Sequence, residues 1–297
     1  MAVHLVCEGF RGGLDERVLD AVVIQNHHLP VLMAPSGGSS ALGAVRAYLQ
    51  SRSASDVAVA VEDRDHRPLA EANARWANQT GRAFMWRRHE IENFLLHPRV
   101  VLALFNELRA LPGLAWASGL PVTEADVDAL LQTLAAPLLA DHTAEVLRDE
   151  LVRQINAVGS VSFGIPRPAP PAGAHVPGAT QWLTTLIQEA TRLRQTCTTV
   201  AGLHLLQGNA ITARYNGLVG QYQQSAFLSS GDYLRDMGGH ELLAALSRHL
   251  HSLGAGARLN QQVLSDELLR VLDRIYQPNI LFQPDDFAEL AAILAQY

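Results

Sequence analysis

Three carboxylates, Glu62, Asp63 and Asp65, stand directly after the apolar run Val57–Val61. Aspartates two residues apart point the same way if extended backbone continues through them. Two like charges held that close repel and raise a pKa, unless a cation lies between them. A hard divalent cation, Mg²⁺ or Mn²⁺, suits the pair, because such ions take oxygen ligands and keep several waters. An acidic turn is the plainer reading, since Asp is common where chains turn.

The elements that must position these acids can be read from the apolar pattern. Val57–Val61 has the unbroken apolar character of a strand buried on both faces of a parallel sheet. Val3–Cys7 is a similar run and ends in Glu8 and Gly9. Pro30–Ala34 reads as a further strand, as does 81–86, which leads into Arg87, Arg88, His89, Glu90, Ile91, Glu92 and Asn93. Helical periodicity fills the gaps, over Asp15–Ile24, Ala41–Gln50 and Pro68–Gln79. Strand and helix alternate, which predicts an α/β fold with a parallel four-stranded sheet flanked by helices.

In such sheets ligands bind beyond the carboxyl ends of the strands. Glu8, the 62–65 group and the Glu90/Glu92 pair close three of the four strands. Random acidic turns would not select the same edge three times, so the convergence favours a metal site. The turn Ser36–Ser40 opens a helix, where the backbone N–H groups of Gly37, Gly38 and Ser39 are placed to hold a phosphate. A tight turn is the simpler account of that stretch alone. Arg64, Arg67, Arg75, Arg82, Arg87 and Arg88 gather near the acids, together with His66 and His89. Arg87 and Arg88, beside Glu90, are the best placed to draw phosphates in.

From Phe94 onward the pattern is helical: 94–111, a start at Thr123 with early acids, 143–158, 181–206, 241–253, 265–276 and 285–296. Residues 164–178 are rich in Pro and Gly and read as a linker or extended loop. The expected organisation is a metal-binding domain over 1–105 and a helical region over 106–297, serving dimerisation or the docking of substrate or partner.

Composition removes several chemistries. The 297 residues carry a net charge of −6, so any nucleic-acid contact must use a local patch or metal ions. All 23 basic residues are Arg, which excludes a Lys-containing phosphate loop, Schiff-base chemistry and protein-kinase chemistry. Cys7 and Cys197 form no CxxC spacing, which argues against a cysteine zinc site and for a reducing, cytoplasmic compartment. No signal peptide or membrane span is expected. His89–Asn93 and His240–Ala244 each lack the second His of a zinc-protease motif, and no Gly-x-Ser-x-Gly elbow occurs.

Taken in order, these residues resemble the TOPRIM fold, the metal-binding domain shared by topoisomerases, primases and OLD-family nucleases. The resemblance lies in Glu8-Gly9 after the first strand, Gly37-Gly38 after the second and Asp63-x-Asp65 after the third. Glu90-Ile91-Glu92-Asn93-Phe94-Leu95-Leu96 is similar to a segment of OLD-like nucleases and of stand-alone TOPRIM effectors of bacterial phage defence. Gly239-His240-Glu241-Leu242-Leu243 is similar to a late Gly-Lys-x-Leu-Leu segment, with His240 where those proteins have Lys.

The resemblance implies Glu8 as a metal-linked general acid/base and Asp63 and Asp65 as metal ligands. It implies Glu90 or Glu92 as ligand to a second Mg²⁺ or Mn²⁺, and His240 near the substrate phosphate. The family often has an Asp shortly after Glu-Gly; this chain departs from that pattern with Arg11-Gly12-Gly13, and Asp15, through a small insertion, is the candidate substitute. The implied activity is a divalent-metal-dependent endonuclease acting on DNA or RNA, with tRNA an instance by analogy. The implied setting is an anti-phage system: a separate ABC/SMC-like ATPase as sensor, and a homodimer as the active form. Two rivals remain, a degenerate TOPRIM module that docks on a partner and cuts nothing, and a primase-like nucleotidyl transferase.

Overall fold

The computed structural model describes residues 1–159, 179–207 and 209–297. The Pro-rich stretch expected to be a loop, 164–178, falls outside the described residues. Four parallel strands form one sheet: β1 (Val3–Cys7), β2 (Val31–Pro35), β3 (Val57–Glu62) and β4 (Ala83–Met85). Their order across the sheet is β2-β1-β3-β4. Cys7 is level with Pro35 on one side and with Val61 on the other. The carboxyl ends of the three strands therefore reach one edge together, and Glu8 leaves the sheet beside Glu62.

The helices follow in chain order. First come α1 (Leu14–Val18), α2 (Ser39–Arg52), α3 (Leu69–Ala77), α4 (Glu92–Leu95), α5 (Pro98–Ala110) and α6 (Glu124–Ala135). Next are α7 (Leu139–Val158), α8 (Ala179–Thr196), α9 (Ala210–Tyr222) and the short α10 (Ser225–Ser229) and α11 (Tyr233–Asp236). Last come α12 (Gly239–Leu250), α13 (Gln261–Ile275) and α14 (Asp286–Leu294).

Local chemistry sets several of these ends. Asn260 caps α13 by accepting the Val263 N–H at 3.0 Å. Asp285 caps α14 through the N–H groups of Phe287 and Ala288. The helix predicted over 94–111 is broken in two, because Pro98 has no N–H to give and drives His97 before it into extended backbone. The helix predicted over 15–24 starts as α-helix and widens into a π-helical turn from Leu19 to Gln25. The one predicted over 181–206 stops at Thr196.

Backbone contacts divide the chain into two units, residues 1–131 with 234–297, and residues 132–233. That division differs from the one expected at 105/106: the last three helices belong with the sheet rather than with a separate helical region. In the sheet-bearing unit, Val57 through Val61 are all buried, as a strand covered on both faces requires. On one face Val6, Ala58 and Ala60 meet Leu42 and Leu49 of α2. Elsewhere in this unit aromatic rings interlock. Trp76 stacks on Phe84 at 4.8 Å, and Trp86 meets Phe94 and Phe287 edge-on at 5.5 and 5.4 Å. The second unit is helical among its described residues. Its core joins Leu147, Leu151 and Ile155 of α7 to Leu186 and Leu193 of α8 and Ile211 and Leu218 of α9.

Phe287 sits at the centre of the aromatic cluster and is fully buried. Phe287→Ala is expected to destabilise the protein by about 3–5 kcal/mol, read as a lower urea midpoint for the sheet-bearing unit. A loss under ~1 kcal/mol would show that α14 does not seal this core.

Candidate active site

Glu8 follows β1 and turns back across the sheet edge, where its Oε2 accepts the backbone N–H of Asp63 at 3.2 Å. That bond links the first strand end to the third. Gly9 (φ +84°) then lets the chain fold over itself. A Cβ at Gly9 would stand 2.7 Å from Asp15 Oδ2, so only glycine lets the Asp15 carboxylate approach so closely.

Asp63 is central. Its Oδ1 is buried and accepts no hydrogen bond. Burial, then the charges of Asp15, Glu90, Glu8 and Glu92, push its pKa well above the ordinary carboxylate value. The same causes act on its neighbours. Burial and the charges of Glu8 and Glu90 raise Asp15 to about 6. Burial raises Glu8, with the charges of Asp65 and Glu62 adding to it, while the Asp63 N–H and the Ser39 hydroxyl pull the other way. Burial, Glu90, Asp15 and Glu241 raise Glu92 to about 8. These cross-influences tie Glu8, Asp15, Asp63, Asp65, Glu90 and Glu92 into one electrostatic group.

Glu90 is the exception. Burial opposes its ionisation, but the His89 ring and the His240 N–H outweigh it and hold its pKa below the usual value. His89 Nδ1 lies 3.4 Å from Glu90 Oε1, and the His240 N–H reaches Oε2 at 3.0 Å. His89 Nε2 in turn meets His66 Nδ1 at 3.1 Å. Glu62 is also satisfied, by Arg67 at 3.0 Å and by Arg75.

The loop between β3 and α3 departs from the expected geometry. The strand ends at Glu62, and Asp65 is left-handed (φ +50°), its N–H bonded to the His89 carbonyl at 3.0 Å. Asp63 and Asp65 therefore do not share a face through continued extension. From the turn, the charge of Asp65 still adds to the upward shift of Glu8. Arg64 holds this loop in place. Its buried guanidinium binds the carbonyls of Arg67, Arg87 and Arg235 and the Asp236 carboxylate at 2.6 Å. Asn93 completes the frame: Oδ1 accepts the Glu90 N–H and Nδ2 donates to the Met237 carbonyl, both at 2.9 Å. A Cβ on Gly239 would come within 2.8 Å of Asn93 and Glu92, so glycine is required where the 237–240 segment crosses α4.

Two expected phosphate contacts are corrected. Arg87 is taken up by Asp286 and by Glu289 at 2.9 Å, and lies over the Trp76 ring. Arg88 donates to the Leu234 carbonyl at 3.2 Å and lies over Phe94 and Phe282. Its burial lowers its pKa to about 10. Both bind the protein itself. Gly37 is corrected as well, because its N–H already donates to the Gly9 carbonyl at 2.7 Å. Gly38 (φ +141°) precedes α2, and Ser39 acts on Glu8 as described. His240 is exposed, with the Gln261 amide 3.0 Å from its Nδ1.

Among the described residues, no three His, Cys, Asp or Glu side chains converge into a finished ligand set. The donors are oxygen atoms on a crowded anionic rim, and the buried Asp63 Oδ1 has no partner. That chemistry fits a hard divalent cation. The chain matches no protein-family model, no curated protein and no solved structure.

An acid with a raised folded pKa destabilises the fold as pH climbs from its unfolded value to its folded one. For Glu92 that window runs from roughly 4.3 to about 8. In EDTA at pH 8, Glu92→Gln is therefore expected to exceed wild type in stability by roughly 2–5 kcal/mol, the lower end allowing for solvent screening. Its advantage shrinks towards zero near pH 4.5, as followed by thermal melting. A variant no more stable than wild type at pH 8 would show that burial and the neighbouring acids do not oppose the charge on Glu92.

Proposed function

We propose that this protein is a divalent-metal-dependent endonuclease, hydrolysing phosphodiester bonds of DNA or RNA at the carboxyl edge of a TOPRIM-like sheet. The observation that carries the reading is the gathering of acids from three strand ends around a buried carboxylate oxygen that lacks a partner. Glu8 after β1, the two glycines after β2 and the aspartates after β3 follow the order of the TOPRIM resemblance.

Asp63, with Asp15 and the ionised Glu90, would hold Mg²⁺ or Mn²⁺, and Glu92 and Asp65 stand by for a second ion. When bound, such a cation polarises a phosphoryl oxygen and offsets charge developing on the phosphate. Glu8 is held against the Asp63 N–H, which keeps its carboxylate at the rim. Burial raises its pKa, the direction that suits a carboxyl moving protons. With Arg87 and Arg88 committed internally and the net charge at −6, the attraction for a polyanion comes from the cations. The ATPase sensor and the homodimeric active form are proposed partners on the strength of the resemblance.

A second reading is a degenerate module that docks on a partner without cutting. It is favoured by the open arrangement of the acids and by His240 in the place of Lys. Cleavage of plasmid and total RNA with Mn²⁺ separates the two. Wild type is expected to cut, and Glu8→Gln and Asp63→Asn to lose at least ~100-fold in rate. Absence of cutting by wild type with either ion, or variants as active as wild type, would overturn the nuclease.

Arg87→Ala tests the corrected role of that residue. It is expected to lower stability by about 3 kcal/mol, since it strands the buried Asp286, while the folded variant cuts at the wild-type rate. Weakened nucleic-acid binding at full stability would restore a phosphate role.

A further inference from the structure

Beside the acid rim a groove of about 420 Å³ opens between α1, α12 and α13. Its volume lies in the range of small-molecule sites. Glu92 forms the wall shared with the acids, and Leu14 and Leu243 supply apolar surface. The rest of the lining is built to bond a ligand that both donates and accepts. Arg17 also lines it, half-buried, with one Nη on Asp266 at 2.6 Å. Gln262 donates to the same Asp266 at 3.0 Å, and Gln261 donates to the His240 carbonyl at 3.2 Å. Among the described residues neither glutamine's side-chain oxygen accepts a hydrogen bond. The groove thus presents the Arg17 side chain, two amide oxygens able to accept and the His240 imidazole, with the Gln261 amide nitrogen 3.0 and 3.3 Å from its ring nitrogens.

This pattern does not suit a phosphate, which offers mainly acceptors and would face the amide oxygens unfavourably. It suits the edge of a nucleobase, where donors and acceptors alternate and amide side chains pair well. An imidazole is also a stacking surface for an unstacked base. We propose that the groove holds one unpaired nucleobase of a nucleic-acid strand, with Gln261, Gln262 and Arg17 reading its edge and His240 against its face. The inference rests on the proposed nuclease and narrows its substrate to a strand that is single or locally opened at the rim. A base paired in a duplex has its edge occupied and its faces stacked, so it does not enter.

The test is binding by the full chain in EDTA, followed by fluorescence anisotropy. The probes are a short labelled single strand, the same strand with abasic sites, and its duplex. The intact single strand is expected to bind at least about tenfold more tightly than the other two, the worth of one well-made base contact. Gln261→Leu and His240→Ala, each checked by thermal melting, are expected to erase most of that preference. Equal binding of the abasic strand or the duplex, or unchanged preference in both folded variants, would overturn the base site. Because EDTA stops metal-dependent cutting, the two readings separate. A base preference without Mn²⁺ cleavage leaves the groove standing and removes the nuclease; cleavage without preference removes the groove alone.

Discussion

Like charge pressed into a small space governs this structure. Parallel strands in level register deliver their ends to one edge, and three of those ends carry acids. The hydrophobic packing of the sheet holds them there, because releasing them would expose the buried core of β1 and β3. Two members of the group are relieved locally, Glu62 by arginines and Glu90 by its histidine neighbour. Among the described residues Asp63, Asp15 and Glu92 have no such cation beside them and Glu8 has only the Asp63 N–H and the Ser39 hydroxyl, and the shared upward shift in pKa expresses burial first and mutual repulsion second. Such a rim is settled by protons or by cations.

The frame around the rim uses arginine as an internal connector. Arg64 ties the loop after β3 to the loop after β4 and to the segment before α12. Arg87 and Arg88 fasten the end of β4 to α14 and to the Leu234 carbonyl. A planar guanidinium with five donors can satisfy several carbonyls at once, which an ammonium does less well. In a chain without lysine, many cations near the acidic edge are thus spent on architecture. The site also closes across a long sequence gap, since the His240 N–H meets Glu90 and Met237 meets Asn93.

The strands were legible because their signal is local. β1 coincides with the predicted run, and β3 extends one residue past it, because unbroken apolar residues bounded by an acid and a turn admit few other readings. The acids at the strand ends were legible for the same reason. What the sequence hid depends on reach and on the third dimension. A buried arginine and a phosphate-binding arginine look alike in a string of letters, so Arg87 and Arg88 were misassigned. Asp65 was misplaced because nothing in Asp63–His66 announces the left-handed turn that ends the strand. The return of the last helices to the sheet depends on pairings such as Trp86 with Phe287, which no local pattern encodes. Gln261 gave no motif signal; Arg64 stood in the arginine cluster and Asn93 in the 90–96 segment, but nothing in either marked a buried framework role.

The central claim is that the crowded acids form a cation site organised on Asp63. The most direct measurement is anomalous scattering from crystals grown with Mn²⁺. The account predicts a peak about 2.2 Å from Asp63 Oδ1, within reach of Asp15 and Glu90 and absent in Asp63→Asn. A rim without a peak at millimolar Mn²⁺, or a peak that survives the substitution, would contradict it.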